Sequence, residues 1–234
     1  MIVSGSVYLL STLGGRSFTL SLSTSFGLIP EAVTGSFAIW QLASYIFLHG
    51  GFAHILFNMF ALWMFGSDLE RTWGTREFTR FFFICGIGAG ISSVVADPSS
   101  AIPTIGASGS IYGILLAYGL LWPNRTILLI PFMIPIKVKY YVMFIGGLAF
   151  MFSVSGRGAG GIAHVAHLGG MIFAYLYIKW ARHTMRFSIR NLRRYYDHWK
   201  REQLRRKFEV YYKRRQQQRR PADPNDEEWR RWRN

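Results

Sequence analysis

Cysteine is nearly absent from this sequence. Cys85 is the single one among 234 residues, so no internal disulfide can form and no redox compartment can be inferred. It lies inside the apolar run "FTRFFFICGIGAGISSVVA", where a small buried side chain is expected. Acidic residues are also scarce, 12 against 27 Lys+Arg, for a formal net charge of +15. The first 178 residues have little charge of either sign, 8 basic against 5 acidic, or +3. From Lys179 to Asn234 there are 19 basic against 7 acidic residues, or +12. With 50% hydrophobic residues, this segregation argues against a soluble globular body and for a membrane-embedded one with a basic appendage. The amino terminus lacks the basic n-region and cleavage site of a signal peptide.

A spanning helix needs about 20 mostly apolar residues. Five segments meet or approach this length: Trp40–Phe65, Phe78–Ala96, Ile105–Trp122, Tyr140–Val154 and Gly161–Trp180. Residues 127–139 contain Pro131 and Pro135, which argue against one straight helix, and read as a re-entrant or interfacial lead-in to the fourth span. "MIVSGSVYLLSTLGG" offers only about 13 apolar-leaning residues before Arg16, so a first helix is either truncated in this chain or short and tilted.

Arg71, Arg76 and Arg80 fall in the 66–80 loop, and Arg125, Lys137 and Lys139 in the 123–139 loop. The alternate loops are poor in Lys and Arg, so these two loops and the carboxyl terminus are expected to face the cytoplasm. That topology puts Ser108, His164 and His167 near the outer ends of their helices. His54 and Asn58, spaced i, i+4 on one helix face, would lie about halfway down theirs. Polar residues in a span are costly and usually face the protein interior or a wet cavity. Gly109/Gly113, Gly170/Ala174 and Gly86/Gly90 are small-xxx-small pairs that let helix backbones approach closely in lipid. A serine and a histidine on different helices need that closeness to hydrogen-bond. Flexible backbone at Gly106 and Gly109, with the free N–H groups of a helix start, could also cradle an oxyanion.

These residues carry a resemblance. "GASG" (106–109) with Tyr112 one turn later, "HGGFAHILFN" (49–58) and "AHLGG" (166–170) resemble the rhomboid intramembrane serine proteases, as do Trp40 and "FGSDLERTWG" (65–74). The resemblance covers about residues 25–180. It implies an all-α polytopic membrane helix bundle with a six-helix core, whose first helix here is short or truncated. It implies an endopeptidase that cleaves transmembrane protein substrates by a Ser-His dyad, without metal or cofactor. Ser108 would be the nucleophile and His167 the general base. His54, Asn58 and the Ser108 N–H would stabilise the oxyanion, with Tyr112, Gly106, Gly109 and Gly170 in support. His164 competes for the base role, but Gly170 and Ala174 follow His167 as the family pattern requires. Two positions depart from common members: Gln41 follows Trp40 where arginine is frequent, and Ala174 replaces a glycine.

Other readings attach to the same residues. Ser108 could be a small residue at a helix interface, and His54 with Asn58 an interhelical polar pair. His49, His54, His164 and His167 could form a metal site, although no cysteine or carboxylate converges with them. "GASGS" is not a nucleophile elbow, since Ser110 stands where the last glycine should. From a different functional class, the chain could be a proteolytically inactive rhomboid-like scaffold binding client helices.

Three regions are expected: a membrane domain over 1–180, a basic amphipathic cytoplasmic helix over 181–220, and a disordered tail over 221–234. Ile189, Leu192, Tyr196 and Trp199 recur with helical spacing, Leu204, Phe208 and Tyr211 continue the stripe, and Pro221 ends it. Such a helix suits anionic lipid or a partner helix, or is simply a solvated positive-inside tail. Nucleic acid is not an expected partner. A bacterial inner membrane is the expected location.

Overall fold

The computed structural model describes residues 1–129, 133–155 and 159–184, and beyond them Arg205, Phe208 and Glu209. The chain divides into two units, Met1–Arg186 and Phe187–Asn234. The first holds the fold set out below. Most of the expected 181–220 helix, and all of the 221–234 tail, lie outside the described residues.

The chain opens with α1 (Ile2–Leu13) and α2 (Gly15–Phe26), each of 12 residues. They are separated at Gly14–Gly15, where Gly15 takes φ +76°. The sequence suggested one short helix ending before Arg16. Helix instead resumes through Arg16, and the Thr19 hydroxyl donates across the bend to the Ser11 carbonyl at 2.8 Å. Each half, about 18 Å long, is too short to cross a bilayer core alone.

α3 (Pro30–Ser36), with proline in its first turn, and the single turn α4 (Gln41–Ser44) form the next connection. A 3₁₀ turn, Tyr45–Phe47, follows. α5 then starts only at Phe52, after Gly50–Gly51, and spans Phe52–Ala61. A π-helical turn, Leu62–Gly66, joins it to α6 (Ser67–Trp73). The expected span Trp40–Phe65 is therefore displaced: the apolar rod is Phe52–Trp73. Much of the supposed 66–80 loop is helical, and its arginines flank a turn at Gly74 (φ +85°).

α7 (Thr75–Ala96) has 22 residues, about 33 Å, and is long and apolar enough to cross a membrane. α8 (Ser108–Leu121) ends just before Trp122–Pro123. The 127–139 segment, expected as a re-entrant or interfacial lead-in to the fourth span, is strand rather than helix up to Lys137. Among the described residues it is an antiparallel hairpin of β1 (Thr126–Leu129) and β2 (Ile134–Lys137), paired from Thr126↔Lys137 to Leu129↔Ile134. Pro135 sits opposite Leu128 within it, where a strand tolerates proline at an edge. α9 (Val138–Ser155) and α10 (Ala159–Thr184) complete the bundle.

α8 is the central rod. Gly109, Ser110, Ile111, Gly113, Ile114, Leu115, Ala117 and Tyr118 are all buried, leaving it no polar face. α7, α9 and α10 pack around it. Outward-facing positions are apolar as well: Leu13, Phe57, Met143 and Val154 are each at least 69% exposed. Apolar surface all round suits a lipid solvent. Since lipid is as apolar as leucine, close contact rather than hydrophobic burial must hold such helices together. Glycine provides it. A Cβ on Gly113 would stand 2.6 Å from the Cys85 sulfur and 3.0 Å from the Gly170 carbonyl oxygen. A Cβ on Gly170 would overlap the Gly109 carbonyl, so α8 and α10 touch backbone to backbone.

Candidate active site

Ser108 is the first residue of α8, and the segment before it is fixed by backbone bonds. Leu28 and Thr104 exchange N–H···O bonds of 2.9 and 2.8 Å, and the Gly106 N–H donates to the Tyr45 carbonyl at 2.9 Å. Gly106 then takes φ +121°, a conformation that L side chains rarely adopt, and Ala107 turns the chain into the helix. As the first helical residue, Ser108 has a backbone N–H with no acceptor one turn earlier.

α10 brings His167 to this point. Its Nε2 lies 2.8 Å from the Ser108 Oγ, a hydrogen bond between residues 59 apart in sequence. The ring stacks on Tyr112 with centroids 4.1 Å apart and planes 2° from parallel. The backbone contact between Gly109 and Gly170, one residue after Ser108 and three after His167, brings the two side chains within reach. His164 does not meet the serine: it lies edge-on to His167 at 5.8 Å and stacks on Phe152 at 5.0 Å.

His54 and Asn58 reach the same level by a different route from that expected. Because α5 begins at Phe52, His54 is its third residue, near the helix start rather than halfway down. A Cβ on Gly106 would lie 2.7 Å from the His54 Nε2, so this nitrogen faces the backbone entering Ser108. His54 Nδ1 accepts the Gly50 N–H at 3.4 Å. Asn58 is buried, and its Nδ2 donates to the His54 carbonyl at 2.8 Å. Its side chain shares with Ser108 and Tyr112 a cavity of about 470 Å³, otherwise lined by apolar residues such as Met64, Leu115 and Ile127. The four histidines form two couples, His49 with His54 at 5.1 Å and His164 with His167. Among the described residues no three His, Cys, Asp or Glu converge as a metal site would require.

The contacts of two supporting residues, Gln41 and Asp68, were not foreseen from the sequence. Gln41 is buried, accepts the Ile29 N–H at 2.9 Å and donates to the Thr24 carbonyl at 3.2 Å, stitching α4 to the end of α2 and to the connection after it. An amide beside Trp40 in an apolar segment was the available signal. At the other end of α8, Asp68 accepts from Arg125 at 2.7 Å and from the Tyr118 hydroxyl at 3.1 Å. This pair ties α6 to α8 and to the base of the hairpin.

Fold and site together define a class: a polytopic membrane helix bundle with a hydrogen-bonded serine and histidine on adjoining helices. The sequence profile of the rhomboid domain matches residues 36–183. The chain belongs to the rhomboid family. It is similar to rhomboid protease GluP of Bacillus subtilis, with 35% identity over 167 residues, 70% of this chain and 30% of that protein. It is similar to the mitochondrial Rhomboid protein 1 of Saccharomyces cerevisiae, 31% identical over 135 residues, 56% of this chain and 38% of that one. RHOMBOID-like protein 5 of Arabidopsis thaliana shares 37% over 76 residues, 32% of this chain and 25% of that protein. The matches thus span between 25 and 38% of the length of these three relatives.

Proposed function

We propose that this protein is an intramembrane serine endopeptidase that cleaves transmembrane protein substrates with Ser108 as nucleophile and His167 as general base. The observation that carries the proposal is the 2.8 Å contact between the His167 Nε2 and the Ser108 Oγ. Serine is a weak nucleophile and needs an adjacent base. His167 accepts the Ser108 proton as Oγ attacks the peptide carbonyl, then passes it to the leaving amine. A water then attacks the acyl–Ser108 ester, giving its proton to His167, and Oγ leaves with that proton.

The developing oxyanion is met by the Ser108 N–H and by His54, whose Nε2 faces the Gly106 backbone. Asn58 joins them through the second hydrogen of its amide, the first being held by the His54 carbonyl. The cavity beside Ser108 gives apolar substrate side chains a place next to the scissile bond. The 66–80 turn, the hairpin and the carboxyl terminus face the cytoplasm of a bacterial cell. There the basic tail meets anionic lipid or a partner helix.

The test is cleavage of a single-span reporter substrate in proteoliposomes. Wild type cleaves it, and Ser108→Ala and His167→Ala do not. Retained cleavage by Ser108→Ala would sink the proposal, and a folded but inert wild type would favour the scaffold reading.

A further inference from the structure

His167 can accept the Ser108 proton on Nε2 only as the tautomer with hydrogen on Nδ1. That Nδ1 is buried and meets no hydrogen-bond partner among the described residues. A buried donor without a partner costs about 1–3 kcal/mol, so the working tautomer stands at a disadvantage unless something accepts its hydrogen. In serine proteases with a triad a carboxylate does this. Among the described residues no Asp or Glu pairs with His167.

A second ring stands one helical turn away. His164 is edge-on to His167, centroids 5.8 Å apart at 73°. Its own Nδ1 is likewise buried and unpartnered among the described residues. Phe152 of α9 stacks on it at 5.0 Å, which restrains the ring. Two buried nitrogens, one needing an acceptor and one able to accept, therefore occupy neighbouring rings. One water between the two nitrogens would satisfy both, and such a bridge costs little to hold when both ends are polar.

We propose that His164 is a positioning residue for His167: its Nδ1 takes the His167 Nδ1 hydrogen through one bridging water and so holds the tautomer that leaves Nε2 open to Ser108. The same link spreads positive charge when the imidazolium forms. His164 touches neither substrate nor serine, and the inference rests on the dyad reading above. Tyr112 closes one face of His167. The task of orienting the base therefore falls to His164.

The test combines kinetics with a readout that needs no activity. Nitrogen-15 histidine spectra of wild type and His164→Ala report the His167 tautomer directly. Wild type should show hydrogen on Nδ1, and His164→Ala a mixture. In proteoliposomes His164→Ala should lower kcat roughly 10- to 100-fold at unchanged KM, the usual range for a lost orienting partner. His164→Asn, whose carbonyl can accept through the same water, should recover most of it. Equal losses in Ala and Asn variants of wild-type thermal stability, or an unchanged tautomer in His164→Ala, would overturn the proposal. If wild type shows the Nδ1 tautomer, His164→Ala loses it, and wild type still cleaves nothing, the dyad reading fails and the catalytic role of His164 fails with it, leaving only its hold on the His167 tautomer.

Discussion

Gly170→Ala concentrates the geometric argument in one methyl group. The Cβ it adds would overlap the carbonyl of Gly109, a backbone group that cannot rotate away. α8 and α10 must then separate, and the overpacking costs about 1–3 kcal/mol in the folded state. Ser108 and His167 sit on those two helices, one and three residues from the contact, and are joined by a single 2.8 Å bond. A misplacement of about 1 Å between reacting groups can cost roughly 10²-fold in rate. Gly170→Ala should therefore fold, melt a few degrees lower and lose about 10²-fold in kcat/KM on a reporter substrate in proteoliposomes. Gly147→Ala is the matched control: it lies on α9, in the same membrane domain, and nothing stands within 4 Å of its new Cβ. It should behave as wild type. Wild-type turnover by Gly170→Ala, or an equal loss in Gly147→Ala, would refute the claim that the α8–α10 contact sets the dyad.

Three further outcomes are expected. Gly106→Ala must place a side chain at φ +121° and within 2.7 Å of the His54 Nε2; it should cost about 1–3 kcal/mol and abolish activity, read by thermal unfolding and reporter cleavage. Tyr112→Phe keeps the ring that stacks on His167 and should retain activity, whereas Tyr112→Ala should lose up to about 10-fold, the worth of an aromatic pair. Arg125→Ala leaves Asp68 without its 2.7 Å partner and should lower the melting temperature more than Arg71→Ala, whose side chain is 72% exposed and 3.7 Å from Asp68.

The parts of the site legible in the sequence were those set by periodicity and by the chemistry of rare residues. Ser108 and His167 stand out because polar groups in apolar runs are costly, and the small residues beside them announce a close helix contact. His54 was placed too deep, because "FAIWQLASYIFLHGGFAHILF" reads as one apolar stretch. Gly50–Gly51 breaks it, and tertiary bonds, such as the Gly106 N–H to the Tyr45 carbonyl and the Ile29 N–H to the Gln41 side chain, make a folded connection of its first half. The hairpin was missed for a related reason: a run of Ile, Leu and Pro is apolar in either conformation, and the strand pairing that decides it is a contact, not a composition. Gln41 earns its place through acceptors and donors on segments 12 and 17 residues away, which no local pattern displays.

The most direct measurement treats purified wild type, Ser108→Ala and His167→Ala with a fluorophosphonate and locates the adduct by peptide mass spectrometry. The account predicts one adduct, on the peptide carrying Ser108, in wild type alone. An adduct on another serine, or undiminished labelling of Ser108 in His167→Ala, would contradict the claim that this pair forms the reactive centre.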